Sequence, residues 1–372
     1  MVKRIFSLNF FDSFIFGITT VAIPLLMLER GIDLAAIGLA LSLAPIAKTL
    51  VRLVSAAVAD AVGERAFYTL NGIANFIEAP IYYFSNSAGG FALGKAVDGA
   101  RESFIWAVNR SSLISEKPEG QHYVLGGLVS GRGIYFALGS LAVGLLFPIG
   151  GFGILFALMG AIGLIMAALS FSVKNTKMRE RVKLSDYTFL GRERRFYETV
   201  GAIMVGGTVY SFIVYFLLPI FFKLSGYSLG QIGFFYAVYF LIFGVVLNFS
   251  SHKRVSGRAA GIIGAFFFVI GLSGLALAET PILPFFFFLM AIGDSQLGLL
   301  WEQIIYLQVK SSRKRSTEVA LLHTPSNVSL FLFTAVSGFA VQSFGFAPIF
   351  ALGAASLVAF AAWSVRLVDE KI

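Results

Sequence analysis

Long apolar stretches fill this chain on both sides of one polar run, which extends from Lys174 to Arg195. That run holds eight Lys or Arg and three acids, and elsewhere only short turns with Gly, Pro or charge interrupt the apolar sequence. Charged residues make up 13% of the chain, which is about half their share in soluble domains. A helix that crosses a membrane needs about 20 apolar residues, so the sequence favours a bundle of membrane-spanning helices.

Twelve spans fit the apolar stretches. The first, from Ile5 to Leu28, is longer than the core of a signal peptide, contains Asp12 and lacks a small-residue cleavage site. We expect an all-α membrane protein with twelve transmembrane helices in two pseudo-symmetric six-helix bundles, residues 1–173 and 196–372, joined by the cytoplasmic basic linker 174–195. The predicted spans are 5–28, 34–55, 66–85, 89–110, 123–147, 152–173, 199–222, 229–250, 259–278, 283–309, 319–342 and 345–365.

Basic residues are distributed unevenly between the two ends of the predicted helices. If the first residue is cytoplasmic, 21 Lys and Arg lie in inner segments, and only Arg30 and Lys223 lie in outer loops. The positive-inside rule then places both termini in the cytoplasm. This distribution explains the net charge of +9 without a nucleic-acid partner. We therefore expect a multi-pass protein of the cell membrane whose partners are the bilayer and a small-molecule solute.

An internal repeat relates the two halves. Each copy is typical of a helix end, a Gly turn and the start of the next helix, with Asp33 or Ser228 as the cap. Two six-helix halves related in this way are the architecture of a transporter that rocks about a midplane site. At a constant offset of 195, Pro24, Gly31, Leu34, Ile37 and Gly38 match Pro219, Gly226, Leu229, Ile232 and Gly233.

The loop after the second span resembles a known signature. Residues 56–65 have a small residue, three others, Asp60, two others, Gly63 and then Arg65, which is similar to the cytoplasmic motif of the major facilitator superfamily. The loop departs from that motif at its first residue and in the basic residues that usually follow the Asp. Residues 110–116 and the Gly-rich fifth span also resemble that superfamily. The resemblance implies alternating access, with Asp60, Gly63 and Arg65 as a cytoplasmic gate motif, and assigns no subfamily.

Six basic and six acidic residues fall inside the predicted spans. Each would cost about 2.5 to 3.5 kcal/mol or more at a lipid-facing midplane, so we expect them to face a cavity or one another. Three of the bases lie near cytoplasmic helix ends, where a long side chain can reach water: Lys48, Arg52 and Arg110. The others are Lys95, Arg101, Arg132, Asp12, Glu78, Asp98, Glu102, Asp294 and Glu302.

Polar residues share faces of three predicted helices. Lys95, Asp98 and Glu102 share one face of the fourth span, with Arg101 beside them. Helical neighbours at this spacing pair readily. Two interpretations stay open with equal weight: ion pairs that only stabilise the helix bundle, and a functional role. In the third span we expect hydrogen bonds between helices from Asn71, Asn75, Glu78 and Tyr82. In the first span one polar face is expected to line water: Asn9, Asp12, Ser13, Phe16, Thr19 and Thr20.

The tenth span contains Asp294 near its midpoint and Glu302 two turns further along, and the spans of its half contain no basic residue. A buried acid without a counter-ion favours its neutral form, as a proton-coupled carrier requires. We expect Asp12, Glu102 or Asp294 to carry a transported proton. Within the first-half spans bases outnumber acids, so a cavity between the halves would have a cationic wall and an anionic, aromatic wall.

Such a cavity favours an amphipathic organic solute with a cationic group near Asp294, where tyrosine faces can add cation–π attraction. The alternative is that tyrosines such as Tyr210, Tyr215, Tyr236 and Tyr239 only pack between helices. The candidate residues of the cavity are Asp12, Asp98, Arg101, Glu102, Arg132, Tyr210, Asp294 and Glu302, with Arg101 and Arg132 as counter-charges to the acids.

We therefore expect a monomeric secondary carrier for a small amphipathic organic solute, coupled to protons, with efflux favoured over import. No cofactor is expected beyond the proton, and three scattered His without Cys make no metal site. The His-Glu-x-x-His and Gly-x-Gly-Asp motifs of membrane proteases are missing, so an enzyme is not expected. A receptor, or a lipid scramblase or flippase, with a transporter-like fold is the alternative that stays open.

The orientation can be tested by labelling. A reagent that reacts only from outside the cell should modify Cys placed at Gly31 or Ser225, because both positions lie in predicted outer loops. It should not modify Cys placed at Lys183 in the linker. Modification at Lys183 in intact cells would contradict the orientation.

Overall fold

The computed structural model describes residues 2–116, 121–173, 188–310 and 315–369, except for the side chains of 2–3, 53, 56–62, 107, 109–116, 121–128 and 315–317. Every regular element in these ranges is a helix. Residues 174–187 of the predicted linker lie outside the described residues, so the division of the chain into two bundles stays a prediction. Below, the first half means the helices before this gap and the second half those after it.

The helices follow the predicted spans closely. The first half contains α1 (Val2–Glu29), α2 (Leu34–Val62), α3 (Glu64–Phe84), α4 (Ala88–Glu116) and α5 (Gln121–Ser170). The second half contains α6 (Arg194–Phe212), α7 (Leu218–Leu224), α8 (Leu229–His252), α9 (Gly257–Leu277), α10 (Leu283–Val309), α11 (Arg315–Phe344) and α12 (Phe346–Asp369).

Two of these elements depart from a straight helix. The backbone of α5 is non-helical at Gly150 and Gly151, where Gly151 has a φ of 59°, so α5 consists of two arms at the position of the predicted turn between spans five and six. A π-helical turn, Ile213–Leu217, connects α6 to α7 without a break. These three segments form one continuous stretch from Arg194 to Leu224.

Within the described residues, nine helical stretches are long and apolar enough to cross a membrane. The stretch Val129–Ser170 counts once although it bends at Gly150. Helices α3 and α4 are not among the nine, and α4 carries four charged residues between Lys95 and Glu102. The multi-pass architecture follows from these stretches, and the count of twelve spans stays a prediction.

The helices expose apolar side chains and bury charged ones, as proteins in a bilayer do. Large apolar side chains stand on the outside, such as Phe84 at 73% and Phe249 at 61% exposed. Charged side chains such as Asp12, Glu78 and Arg101 are buried instead. Lipid can contact the first set, whereas the second set must find its partners inside the protein.

The repeat seen in the sequence has the same conformation in both halves. Gly31 and Gly226 have φ values of 73° and 92°, in the left-handed region where glycine ends a helix at no steric cost. Each turn closes with equivalent hydrogen bonds, from Gly31 N to Leu28 O at 3.0 Å and from Gly226 N to Lys223 O at 3.1 Å. The two turns therefore lie at equivalent ends of their halves, which are the predicted outer ends.

The halves meet where α2 packs on α11 and α5 packs on α8. A Cβ on Gly38 would lie 2.7 Å from Thr334 O, and a Cβ on Gly233 would lie 2.6 Å from Gly144 N, so only glycine permits these approaches. Lys223 and Glu29 form an ion pair at 3.4 Å between the ends of α7 and α1. These contacts close the predicted outer end.

Candidate functional site

A cavity of about 410 Å³ lies between helices of the two halves. Its size is within the range of small-molecule sites, about 300–1,000 Å³. Its polar lining comes from α1, α2, α4 and α5 of the first half and from α6, α10 and α11 of the second, with Tyr215 in the π-helical turn. The polar and charged residues in its wall include Thr19, Thr20, Lys48, Lys95, Asp98, Glu102, Arg132, Tyr210, Tyr215, Asp294, Glu302 and Asn327.

Arg101 is the centre of a buried ionic network behind the first-half wall. Its side chain is fully buried. Its Nη1 lies 2.5 Å from Asp12 Oδ1, its Nη2 lies 2.5 Å from Asp98 Oδ1, and its Nε lies 3.3 Å from Glu78 Oε2. One guanidinium therefore connects carboxylates on α1, α3 and α4.

Further pairs extend this network into the cavity wall. Asn71 on α3 donates to Asp12 Oδ1 at 3.0 Å and to the Arg101 carbonyl at 3.1 Å, as expected of hydrogen bonds between helices. Lys95 pairs with Asp98 at 2.7 Å, and Lys48 pairs with Glu102 at 2.5 Å. The first-half wall is therefore less cationic than its count of bases indicates, because these lysines are already paired.

Arg132 on α5 has a different environment. Its Cζ lies 4.4 Å from the centre of the Trp106 ring and 5.3 Å from that of Phe136, which are cation–π contacts. Its Nη1 is buried without a hydrogen-bond partner. Within the described residues no carboxylate forms an ion pair with it, so its charge faces the cavity uncompensated by a direct partner.

The second-half wall presents an acid among aromatic rings. The Tyr239 hydroxyl donates to Asp294 Oδ2 at 2.9 Å, and the Tyr239 ring stacks on Phe287 at 4.4 Å. The hydroxyls of Tyr210 and Tyr215 lie 3.1 Å apart, and both residues line the cavity. No cation lies within ion-pair distance of Asp294 in the described part of the chain.

The predicted tyrosines divide into two groups. Tyr210 and Tyr215 line the cavity, as the anionic, aromatic wall requires. Tyr236 and Tyr239 are buried and pack between helices, where the Tyr236 hydroxyl donates to Val214 O at 2.6 Å. Packing alone therefore accounts for Tyr236, whereas Tyr239 also donates a hydrogen bond to Asp294 in the cavity wall.

The structure also separates the predicted cavity residues into two layers. Six of them line the cavity: Asp98, Glu102, Arg132, Tyr210, Asp294 and Glu302. Asp12 and Arg101 lie behind the wall in the ionic network, whereas Phe16, Thr19 and Thr20 of the same polar face of α1 reach the cavity. Only the second half of this face therefore borders the cavity, and its contact with water stays a prediction.

The predicted gate motif is described in part. Gly63 has a φ of 83° and precedes α3, and Arg65 Nε donates to Val173 O at 2.9 Å, which ties the start of α3 to the residues that follow α5. The side chain of Asp60 lies outside the described residues. The gate role of Asp60, Gly63 and Arg65 stays a prediction.

The family is decided by a comparison with known protein families. The sequence model described as Major Facilitator Superfamily matches residues 5–309. The chain belongs to the major facilitator superfamily. Membership in this superfamily supports a secondary transporter.

Two solved transporters have the same fold as this member of the superfamily. The crystal structure of a D-xylose–proton symporter is similar with a TM-score of 0.75 and 14% identity, over 99% of this chain and 98% of that one. The nucleoside transporter NupG, solved as a point mutant, is similar with a TM-score of 0.79 and 13% identity, over 98% of each chain. At these identities the likeness shows the fold alone. No curated protein sequence matches the chain.

Two residues of this transporter's site were not predicted from the sequence. Lys48 was expected to reach water at a helix end, but it pairs with Glu102. Its position, seven residues inside the predicted end of span two, already indicated that it lies too deep to reach water easily. Tyr239 was seen only as one of several tyrosines, and no local pattern connects it to Asp294. In the described residues no group of His, Cys, Asp and Glu could hold a metal ion.

The ionic network predicts a large loss of stability in Arg101→Met. Removal of one partner of a buried pair leaves uncompensated charge and costs about 3–5 kcal/mol. The thermal unfolding midpoint of the purified protein in detergent should therefore fall well below that of the wild type.

Arg194→Met is the matched control. Arg194 is 85% exposed and pairs with Glu198 on the surface of α6, where a pair contributes about 0–1 kcal/mol. Equal unfolding midpoints for the two variants would contradict the structural role assigned to Arg101.

Proposed function

We propose that this protein moves a small amphipathic organic solute across the membrane by alternating access, in exchange for or together with protons, with efflux as the favoured direction. The observation that carries the proposal is a cavity between the halves whose wall holds Arg132, a cation without an ion pair in the described residues, and the acid Asp294, with many aromatic rings in the same lining. Such a lining suits an organic solute with both apolar and charged parts. Alternating access would expose this space first to one side of the membrane and then to the other.

The aromatic part of the wall supports an apolar solute body. Phe16 contacts Tyr215 at 5.2 Å and Phe136 at 4.7 Å between ring centres, and Phe136 contacts Phe240 at 5.3 Å. Four helical segments thereby contribute to one aromatic cluster beside the cavity. Ring faces of this kind attract both apolar groups and cations.

Among the three acids expected to carry a proton, the surroundings favour Asp294. Asp12 and Glu102 are each held by a cation at 2.5 Å, so protonation of either would break an ion pair. Asp294 has a tyrosine hydroxyl as its partner, and it can gain or lose a proton without that cost. The similar D-xylose–proton symporter is named for proton coupling, which supports the view that this fold accommodates it.

The proposal predicts gradient-dependent transport in proteoliposomes. With an imposed proton gradient, the wild type should concentrate members of a panel of radiolabelled amphipathic organic ions that includes methylphenylpyridinium. Asp294→Asn should abolish this accumulation but retain exchange of solute across the membrane, because the cavity persists while the proton site is lost. The direction of the gradient that drives accumulation distinguishes efflux from import.

Glu198→Gln is the control, since Glu198 is partly exposed, pairs with the exposed Arg194 and does not line the cavity, and it should transport like the wild type. If Asn or Gln variants of Asp12, Glu102 and Asp294 all still concentrate solute against a gradient, the proton site lies elsewhere. Absence of transport of any organic ion, with or without a gradient, would favour a receptor or a lipid scramblase.

A further inference from the structure

Arg132 is a buried cation that forms no ion pair in the described part of the chain. It is 8% exposed and lines the cavity, and its buried Nη1 has no hydrogen-bond partner among the residues whose side chains are described. A buried guanidinium without an anion or an acceptor is costly. Such a group in the wall of a solute cavity therefore indicates an anionic group that the solute itself brings.

The two carboxylates with the strongest electrostatic effect on Arg132 already form ion pairs with other residues. Asp12 and Glu102 are the carboxylates whose fields act most strongly on it. Asp12 is bound by Arg101, and Glu102 is bound by Lys48. Neither can turn to Arg132 without giving up an existing ion pair at 2.5 Å, so within the described residues no carboxylate of the first half is free to pair with Arg132.

The contacts with aromatic rings determine from which direction a ligand can approach the Arg132 guanidinium. Trp106 holds the guanidinium at 4.4 Å and Phe136 holds it at 5.3 Å, so ring faces cover the carbon of the ion. The N–H groups lie at its edge, in the plane of the ion. A planar fork of donors matches the two oxygens of a carboxylate better than it matches a single acceptor.

An acid on the opposite wall and aromatic rings from both halves complete the lining. Asp294 lies beside Tyr239 on that wall, and the cluster of Phe16, Phe136 and Tyr215 lies beside the cavity. The cavity therefore offers Arg132 and Asp294, neither of which forms an ion pair in the described part of the chain, to a single solute, with rings along the space they share.

We propose that Arg132 binds a carboxylate of the transported solute, so that the solute is a zwitterion with an aromatic or other apolar body. Its cationic group faces Asp294, a part of this inference that rests on the proposed function. The carboxylate subsite on Arg132 is the new element. A purely cationic solute would leave Arg132 unsatisfied in the loaded transporter.

Matched probes test this subsite. Phenylalanine, phenylalaninamide and phenylpropionate share a phenyl ring and are a zwitterion, a cation and an anion, and tryptophan, tryptophanamide and indolepropionate repeat the series on a larger ring. Affinities are obtained from the rise of the thermal unfolding midpoint with probe concentration, followed by static light scattering. In the wild type at least one amino acid should bind about tenfold or more tightly than its amide.

Arg132→Gln should remove that preference, so that the amino acid and its amide bind alike. Arg132→Lys should retain part of it, since the charge remains without the fork, and the exposed-site control Arg194→Gln should retain all of it. Equal binding of amino acids and amides by the wild type, or an unchanged preference in Arg132→Gln, would overturn the inference. If only the cations bind and are transported, the proposed function stands and the carboxylate subsite is wrong; if no probe binds, both fail.

Discussion

Charge buried among membrane helices is the constraint on which the rest of this structure depends. An ionised side chain there needs partners inside the protein, and Arg101 meets that need for Asp12 on α1 and Glu78 on α3 as well as for Asp98 on its own helix. If α1, α3 or α4 moved away from the others, at least one charge would lose its partner. Lys48 and Glu102 join α2 to α4 in the same way. The first half is therefore expected to move as one body.

Contacts between the halves are of a different kind. At the predicted outer end they are backbone approaches at glycines, Gly38 to Thr334 and Gly233 to Gly144, together with a partly exposed ion pair of Glu29 and Lys223. In the described residues no fully buried ion pair crosses between the halves. Separation of the halves at this end should cost less than separation of α1 from α4. The fold thus has a stiff unit and a surface that can part, as alternating access requires.

Local sequence patterns predicted most of the fold but only part of the candidate site. The apolar stretches, the turns at Gly31 and Gly226 and the caps at Asp33 and Ser228 depend on neighbouring residues, so the sequence alone indicates them. The Lys95–Asp98 pair was visible for the same reason. In contrast, the pairs Arg101–Asp12, Lys48–Glu102 and Tyr239–Asp294 join residues 89, 54 and 55 positions apart. Helical periodicity tells which residues share a face, but the neighbouring helix decides which of them become partners, and so nothing in the sequence distinguished the unpaired Arg132.

Alternating access is tested most directly by distances between spin labels on the two halves. The chain contains no Cys, so introduced cysteines are the only labelling sites. Asn86 and Glu279 lie exposed beyond the predicted outer ends of the helices, and Phe171 and Lys253 lie exposed at the other end. As a proton gradient and a bound organic ion change the population of states, the 86–279 distance should lengthen while the 171–253 distance shortens, and the 86–171 distance within the first half should stay constant. Two ends that open and close together, or a change within the first half as large as the change between halves, would contradict the account.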